Sequence, residues 1–172
     1  MPVNRVRKAR AKDAVFIHCL HALTHQEHKL RFKDYADKVF DAFWTDALTR
    51  RHAALRALIA PPKYQALVAL HGREFAGHLL ASITMSPQDQ SLYFIHDISI
   101  APDHRGQGHG LRLLQAAENI AKTQGMRTLA TGIYYGNIQS EGLFAKAGFT
   151  HAPSIDPHDI KGNGIYAKDI WS

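Results

Sequence analysis

The sequence predicts a mixed α/β domain built on a largely antiparallel, twisted sheet. Three observations carry that expectation. Residues 63–71 and 74–85 are two strand-like runs joined by His71-Gly72-Arg73, the pattern of a hairpin. Leu92 to Ile100 is dense in β-branched and aromatic residues and is closed by Pro102, as a buried strand would be. Beyond Gly110, Leu113, Leu114, Ala117, Ile120 and Ala121 recur at three- and four-residue steps, the period of an amphipathic helix.

The other elements follow in order. Val3 to Ala9 predicts a first strand, and Asp13 stands where it can cap a helix from Ala14 to Leu23 or beyond. Cys19 falls in the apolar pattern of that helix and reads as a packing residue. Phe32, Tyr35, Ala36, Val39, Phe40 and Phe43 predict a second amphipathic helix over residues 31–48. Its opposite face carries Lys33, Asp34, Asp37 and Asp41 and reads first as a solvated face. Arg50 to Ala60 reads as a short helix stopped by Pro61-Pro62. In the second hairpin strand, Phe75, Leu79, Ala81, Ile83 and Met85 share a face. Along the central strand, Leu92, Phe94, His96, Ile98 and Ile100 do the same.

Ser86 to Ser91 is polar turn chemistry. The helix after Gly110 runs to Gln124, with Gly125 as its C-cap. Arg127 to Tyr135 predicts a strand, and Asn137 opens a helix that Gly148 ends. Residues 150–159 and 164–171 read as two last strands around Lys161-Gly-Asn-Gly164. No repeat, linker or low-complexity tract interrupts the chain, so one domain over residues 1–172 is expected.

Bulk properties bound the function. With 172 residues, 45% of them hydrophobic, one sizeable core can form. No apolar run reaches the roughly 18 residues of a membrane span, and the basic N-terminus lacks the apolar region of a secretory signal. The single cysteine excludes an internal disulfide and fits a cytoplasmic location. A formal charge of +6 suits nucleic acid, an anionic membrane surface or an anionic small molecule. No basic stretch with interleaved aromatics and no RNA-binding motif is present, so neither nucleic acid nor membrane is the expected partner. His18, His21, His25 and His28 lie at helical spacing. With 12 histidines in the chain such rows arise easily, and His25-Gln-Glu-His28 is not H-E-x-x-H. No metal is expected.

The chemistry concentrates in Arg105-Gly-Gln-Gly-His-Gly110. Its glycines let backbone approach a ligand, and the N–H groups and positive end of the following helix favour a diphosphate. Neither the Rossmann G-x-G-x-x-G nor the P-loop G-K-[ST] is present. A strand, a proline and R-G-x-G-x-G opening a helix resembles the acetyl-CoA motif of the GCN5-related N-acetyltransferases (GNAT). Asn137-Ile-Gln-Ser-Glu-Gly-Leu-Phe-Ala-Lys-Ala-Gly-Phe149 is similar to that family's second motif, N-x-x-[AS]-x-x-L-[YF]-x-K-x-G-F.

The resemblance implies a GNAT-like fold, with helices on both sheet faces and the central strand splayed from the next one. It implies transfer of an acetyl group from acetyl-CoA to a primary amine by direct attack in a ternary complex, with acetyl-CoA as cosubstrate and no metal. Backbone at Ile98 and Ile100 would pair with pantetheine. Arg105, Gly106, Gln107, Gly108, His109 and Gly110 would hold the diphosphate. Asn137, Ser140, Phe144 and Lys146 would line the other side of the cofactor. The family's first two helices wall the acceptor pocket, which brings the carboxylates of residues 34, 37 and 41, and Trp44, into play. Members are often dimers, and a homodimer is one assembly open to this chain.

An alkyl amine, with a pKa near ~10.4, must lose a proton before or during its attack on the thioester. The family commonly supplies a glutamate on the central strand. The matching position here is His96, and an ordinary imidazole pKa of ~6.5 makes it a fitting base. A histidine packed between Phe94 and Ile98 is the alternative. Where the family often carries an acidic tyrosine, this chain has Phe144. Tyr134 or Tyr135 are substitutes, and a thiol of pKa ~8.5 can leave as thiolate unaided, so the acid stays unassigned. Two other functions compete: an acyl-CoA-binding sensor without chemistry, and a nucleic-acid-binding interaction protein. The acceptor, whether polyamine, aminoglycoside, amino acid or protein terminus, is open.

Overall fold

Alternating and helical periods in the sequence become seven strands and three helices among the residues that the computed structural model describes, namely 4–32, 65–86, 91–153 and 163–172. The strands are β1 (Asn4–Lys8), β2 (Gln65–His71), β3 (Glu74–Met85), β4 (Ser91–Ile100), β5 (Thr128–Tyr134), β6 (Thr150–His151) and β7 (Asn163–Asp169). The helices are α1 (Ala14–Arg31), α2 (His109–Thr123) and α3 (Ile138–Lys146). The sheet order is β1-β2-β3-β4-β5-β7-β6, and only β4 and β5 run parallel. A largely antiparallel mixed sheet is the predicted fold class. The helices expected over 31–48 and 50–60, with Trp44, lie outside the described residues from position 33 onward. So do 87–90 of the expected turn, 154–159 of the expected strand and 161–162 of the last turn.

Two apolar layers hold the sheet. On one face α2 and α3 bury Leu113, Leu114, Ala117 and Phe144 against Leu79, Tyr93, Ile95 and Leu129. On the other, Ala14 and Ile17 of α1 meet Ala66, Val68 and Leu80. The amphipathic period of α2 was legible, and its end is as expected: Gly125 takes φ 71° and Met126 N–H donates to Ala121 O.

Local chemistry departs from the sequence reading in four places. Asp13 does stand at the N-cap of α1, but its carboxylate accepts from Arg7 at 2.7 and 2.9 Å and from Arg10 N–H at 2.6 Å, so it ties down the first strand, closes the 3₁₀ turn Ala11–Asp13 and makes no side-chain cap to α1. Cys19 is exposed, because the buried stripe of α1 runs through Ala14, Ile17, Leu20 and His21. On β3, Ala69 pairs with Gly77 while Leu70 pairs with Phe75, which makes Ala76 an inserted residue. That bulge turns Phe75 to the α1 face, while Leu79 and Ala81 enter the α2 side and Ile83 and Met85 are exposed. On β4, Leu80 pairs with Asp97 and Ala81 with Ile95, so His96 is a second insertion. Leu92 and Phe94 therefore do not share a face with Ile98 and Ile100. Tyr93 and Ile95 lie on the α2 side before the bulge, and Ile98 and Ile100 after it. No helix among the described residues is long and apolar enough to cross a membrane.

Candidate active site

The bulge at His96 sets where the sheet opens. β4 and β5 pair from Leu92↔Thr128 to Ile95↔Thr131 and no further. Beyond that point Thr131 Oγ1 donates to Ile95 O at 3.0 Å, and the two strands part. The β5-facing backbone of residues 98–100 has no strand partner among the described residues, and it fronts a cavity of about 870 Å³. The first turns of α2 and α3 and the last turns of α1 also line it.

The turn before α2 is shaped by its glycines. Gly106 and Gly108 take φ 73° and 79°, a left-handed backbone that side chains disfavour. Gly110 needs no such φ but sits where α2 meets α3: a Cβ there would lie 3.0 Å from Leu143 Cδ1. Gly108 offers no side chain to cap α2, which leaves the first helical N–H groups unclaimed by a capping group. Gln107 Nε2–H closes the loop by donating to Asp103 O at 2.9 Å. Arg105 folds back, with Nε–H donating to Ile100 O at 3.0 Å and Nη2–H to Glu27 Oε2 at 2.7 Å. Two helix N-termini, Arg31, Arg105 and Lys146 thus face one cavity, an arrangement suited to an anion.

Residues 22–149 match the model of the acetyltransferase (GNAT) family. The chain belongs to the GNAT acetyltransferase family. L-methionine sulfoximine/L-methionine sulfone acetyltransferases of Pseudomonas aeruginosa and Pseudomonas paraeruginosa are each 39% identical to it over 54 residues. That match spans 31% of this chain and 31% of either relative's length. The PaiA N-acetyltransferase of Thermoplasma acidophilum, in complex with coenzyme A, superposes with a TM-score of 0.74 at 16% identity, covering 97% of this chain and 99% of that one. An acetyltransferase of Thermus thermophilus gives 0.66 at 22%, covering 98% and 99%. At these identities the likeness is one of fold.

Seen as a GNAT chain, the predicted residues sort cleanly. Ile98, Ile100, Arg105, Gly106, Gly108, His109, Gly110, Asn137, Ser140 and Lys146 line the cavity together. Asn137 is also the N-cap of α3, its side chain accepting from Ser140 N–H at 3.3 Å. Phe144 departs from the expectation. It is 2% exposed, stands edge-on to Phe149 at 5.0 Å and belongs to the core, because α3 docks that face on the sheet. Gln107 and His96 do not line this cavity either. His96 Nε2 lies 2.6 Å from Ser82 Oγ, and its ring is 5.1 Å from Phe94. Tyr134 leans on Phe32 and Tyr135 is exposed; neither lines the cavity.

A buried polar group beside the opening escaped the sequence reading. Asp97 Oδ2 accepts from His78 Nε2 at 2.5 Å and stands 3.3 Å from His21 Nδ1, and Ser99 Oγ–H donates to Oδ1 at 3.2 Å. Burial alone would raise the Asp97 pKa, but the two imidazoles outweigh it and hold the carboxyl far below the usual range. Two residues of the α1 histidine row serve this region: His21 reaches Asp97, and His28 lines the cavity with Glu27. Burial lowers the His28 pKa against the pull of Asp97 and Glu27, so its imidazole is neutral near pH 7. The helical spacing of that row was a real signal of one inward face, but its partner Asp97 is 76 residues from His21.

Proposed function

We propose that this chain transfers an acetyl group from acetyl-CoA to a primary amine by direct attack within a ternary complex. One observation carries the reading: the glycine turn at the head of α2 opens onto the unpaired edge of β4. The residues fit the cosubstrate. A diphosphate matches the turn's N–H groups and the positive helix ends, with Lys146 and Arg105 beside them. An extended amide chain such as pantetheine matches the edge at residues 98–100, where a strand would otherwise pair.

His96 is the proposed base. Ser82 Oγ lies 2.6 Å from His96 Nε2 and orients the ring, and a neutral imidazole offers one nitrogen lone pair as the proton acceptor. The amine gives a proton to that lone pair as its nitrogen bonds the carbonyl carbon. The C–S bond then breaks and coenzyme A departs as thiolate, which takes its proton from solvent. No step of this transfer is routed through a metal. Phe144 packs in the core, and the sensor without chemistry stays the rival that turnover separates from this reading.

The substrates named for the Pseudomonas relatives are amino-acid amines, which makes that class the first to test. Purified chain, acetyl-CoA and a panel of amino acids, polyamines and aminoglycosides should give amine-dependent thiol release. Coenzyme A binding without turnover on any amine would instead identify a sensor.

A further inference from the structure

We propose that His71, His104 and His109 form a three-imidazole site for a zinc-class divalent cation, with the remaining position open to water. The residues come from three elements: the end of β2, the 3₁₀ turn Pro102–His104 and the first residue of α2. One nitrogen from each lies within 4.8 Å of the other two, and the ring centroids are 5.3, 5.7 and 5.9 Å apart. Nitrogens on a tetrahedral zinc stand about 3.3 Å apart, given bonds of about 2.0–2.1 Å, so small side-chain rotations close the set.

Hydrogen bonding separates this cluster from a chance meeting of rings. His109 is 1% exposed, and neither of its ring nitrogens has a hydrogen-bond partner among the described residues. A neutral imidazole carries one donor and one acceptor, and buried groups of this kind are almost always satisfied. His104 Nδ1 is buried and unpartnered as well. The outer nitrogens are held as in a metal site. His71 Nδ1–H donates to Asn4 Oδ1 at 2.8 Å, and Glu74 Oε2 stands 3.6 Å from His104 Nε2. The Asn4 contact puts the lone pair on His71 Nε2, the pattern of a ligand histidine braced by an outer acceptor, while on His104 the buried, unpartnered nitrogen is Nδ1. Three imidazoles without thiolate or carboxylate suit zinc, and copper or nickel with it. Among the described residues the helical row on α1 forms no such group of three. Residues 71, 104 and 109 are scattered along the sequence, so no spacing rule could reveal them.

The site has a consequence for the neighbouring turn, and this step rests on the coenzyme A reading above. His104 and His109 bracket Arg105–Gly108, so a bound ion would pin both ends of the diphosphate turn and pre-organise it.

The test uses the untagged, demetallated chain and Zn²⁺ itself. Competition with a chromophoric chelator should show one tightly held equivalent, and Co²⁺ in its place should give the intense visible bands of four-coordination. His109→Ala and His104→Ala should each weaken Zn²⁺ binding by about 100-fold or more, comparable to or beyond the loss of an outer partner. His18→Ala should leave it unchanged. If His109→Ala fails to fold, His104→Ala, at the less buried ligand, decides the matter. Zn²⁺ lost to the chelator, or held equally well by both variants, would overturn the proposal. Calorimetry of coenzyme A with and without Zn²⁺ should show tighter binding with it. Zinc bound with coenzyme A affinity unchanged would overturn the pinning and leave the site standing; zinc bound with no coenzyme A binding at all would overturn the cradle reading instead.

Discussion

Arg105 Nη2 lies 2.7 Å from Glu27 Oε2, so a carboxylate of α1 holds the one arginine of the glycine turn at the mouth of the cavity. Both side chains are 39% exposed, which makes the pair weak in water and easy to exchange for another anion. A diphosphate entering the turn competes with Glu27 for the same guanidinium and is repelled by its charge. Glu27→Gln should therefore tighten coenzyme A binding, by up to about fivefold if the pair is worth the usual 0.2–1 kcal/mol. Arg105→Ala should weaken it by about 1–3 kcal/mol. Titration calorimetry reads both, and both effects should shrink at high salt.

Gly108 tests the cradle itself. Its φ of 79° is adverse for any side chain, by about 1–2 kcal/mol, and a Cβ would also press on Arg112 Nη1 at 3.2 Å. Arg112 is flexible at that end, so the fold should survive Gly108→Asp with a modest fall in denaturant midpoint. Coenzyme A binding should collapse, because the new carboxylate occupies the place of the diphosphate charge. Unchanged affinity in the folded variant would remove the turn from the binding site.

What was legible in the sequence follows from range. The glycine turn, the stripe on α2 and the cap at Gly125 are local, fixed within one turn of chain by φ and by period. The cavity-lining set followed because the motifs sit on those local elements. Phe144 was misplaced because its helix shows several faces, and only docking on the sheet decides which one is buried. The bulges at Ala76 and His96 were invisible because alternation presumes an unbroken ladder, and an inserted residue is defined by the partner strand. Asp97 takes its meaning from His78, 19 residues away, and from His21, 76 residues away.

That network gives a prediction about acid stability. His78 is fully buried and Asp97 nearly so, and the carboxyl is held well below its unfolded value near ~3.9. A group with a depressed folded pKa contributes fully above its unfolded pKa and loses that contribution as pH falls through the folded one. Wild-type stability should therefore fall below about pH 4 in part through Asp97. Asp97→Asn removes the charge and one of the two acceptor oxygens that His78, His21 and Ser99 share, which should cost about 3–5 kcal/mol at pH 7. Denaturant melts from pH 3 to 7 should show a smaller pH slope in the variant. A loss under ~1 kcal/mol would mean that the histidines find other partners, since lost buried partners ordinarily cost more.

His96 carries the most exacting prediction. It is the inserted residue of β4, at the point where β4 and β5 part, so its side chain is set by the bulge and by Ser82 rather than by regular alternation. If it removes the amine proton, His96→Ala should lower kcat by ~10²–10⁴. Coenzyme A affinity should barely change, since His96 does not line the cavity. The ascending limb of the pH–rate profile should vanish with the imidazole. His96→Glu, with the family's commoner base, should recover part of the rate. Ser82→Ala should keep the limb but move it along the pH axis, because the hydroxyl in contact with the imidazole is gone while the imidazole stays. A merely structural contact would change the melting temperature and leave that limb in place. Near-normal kcat in His96→Ala, with earlier melting alone, would make His96 a packing residue beside Phe94 and assign deprotonation to water or buffer.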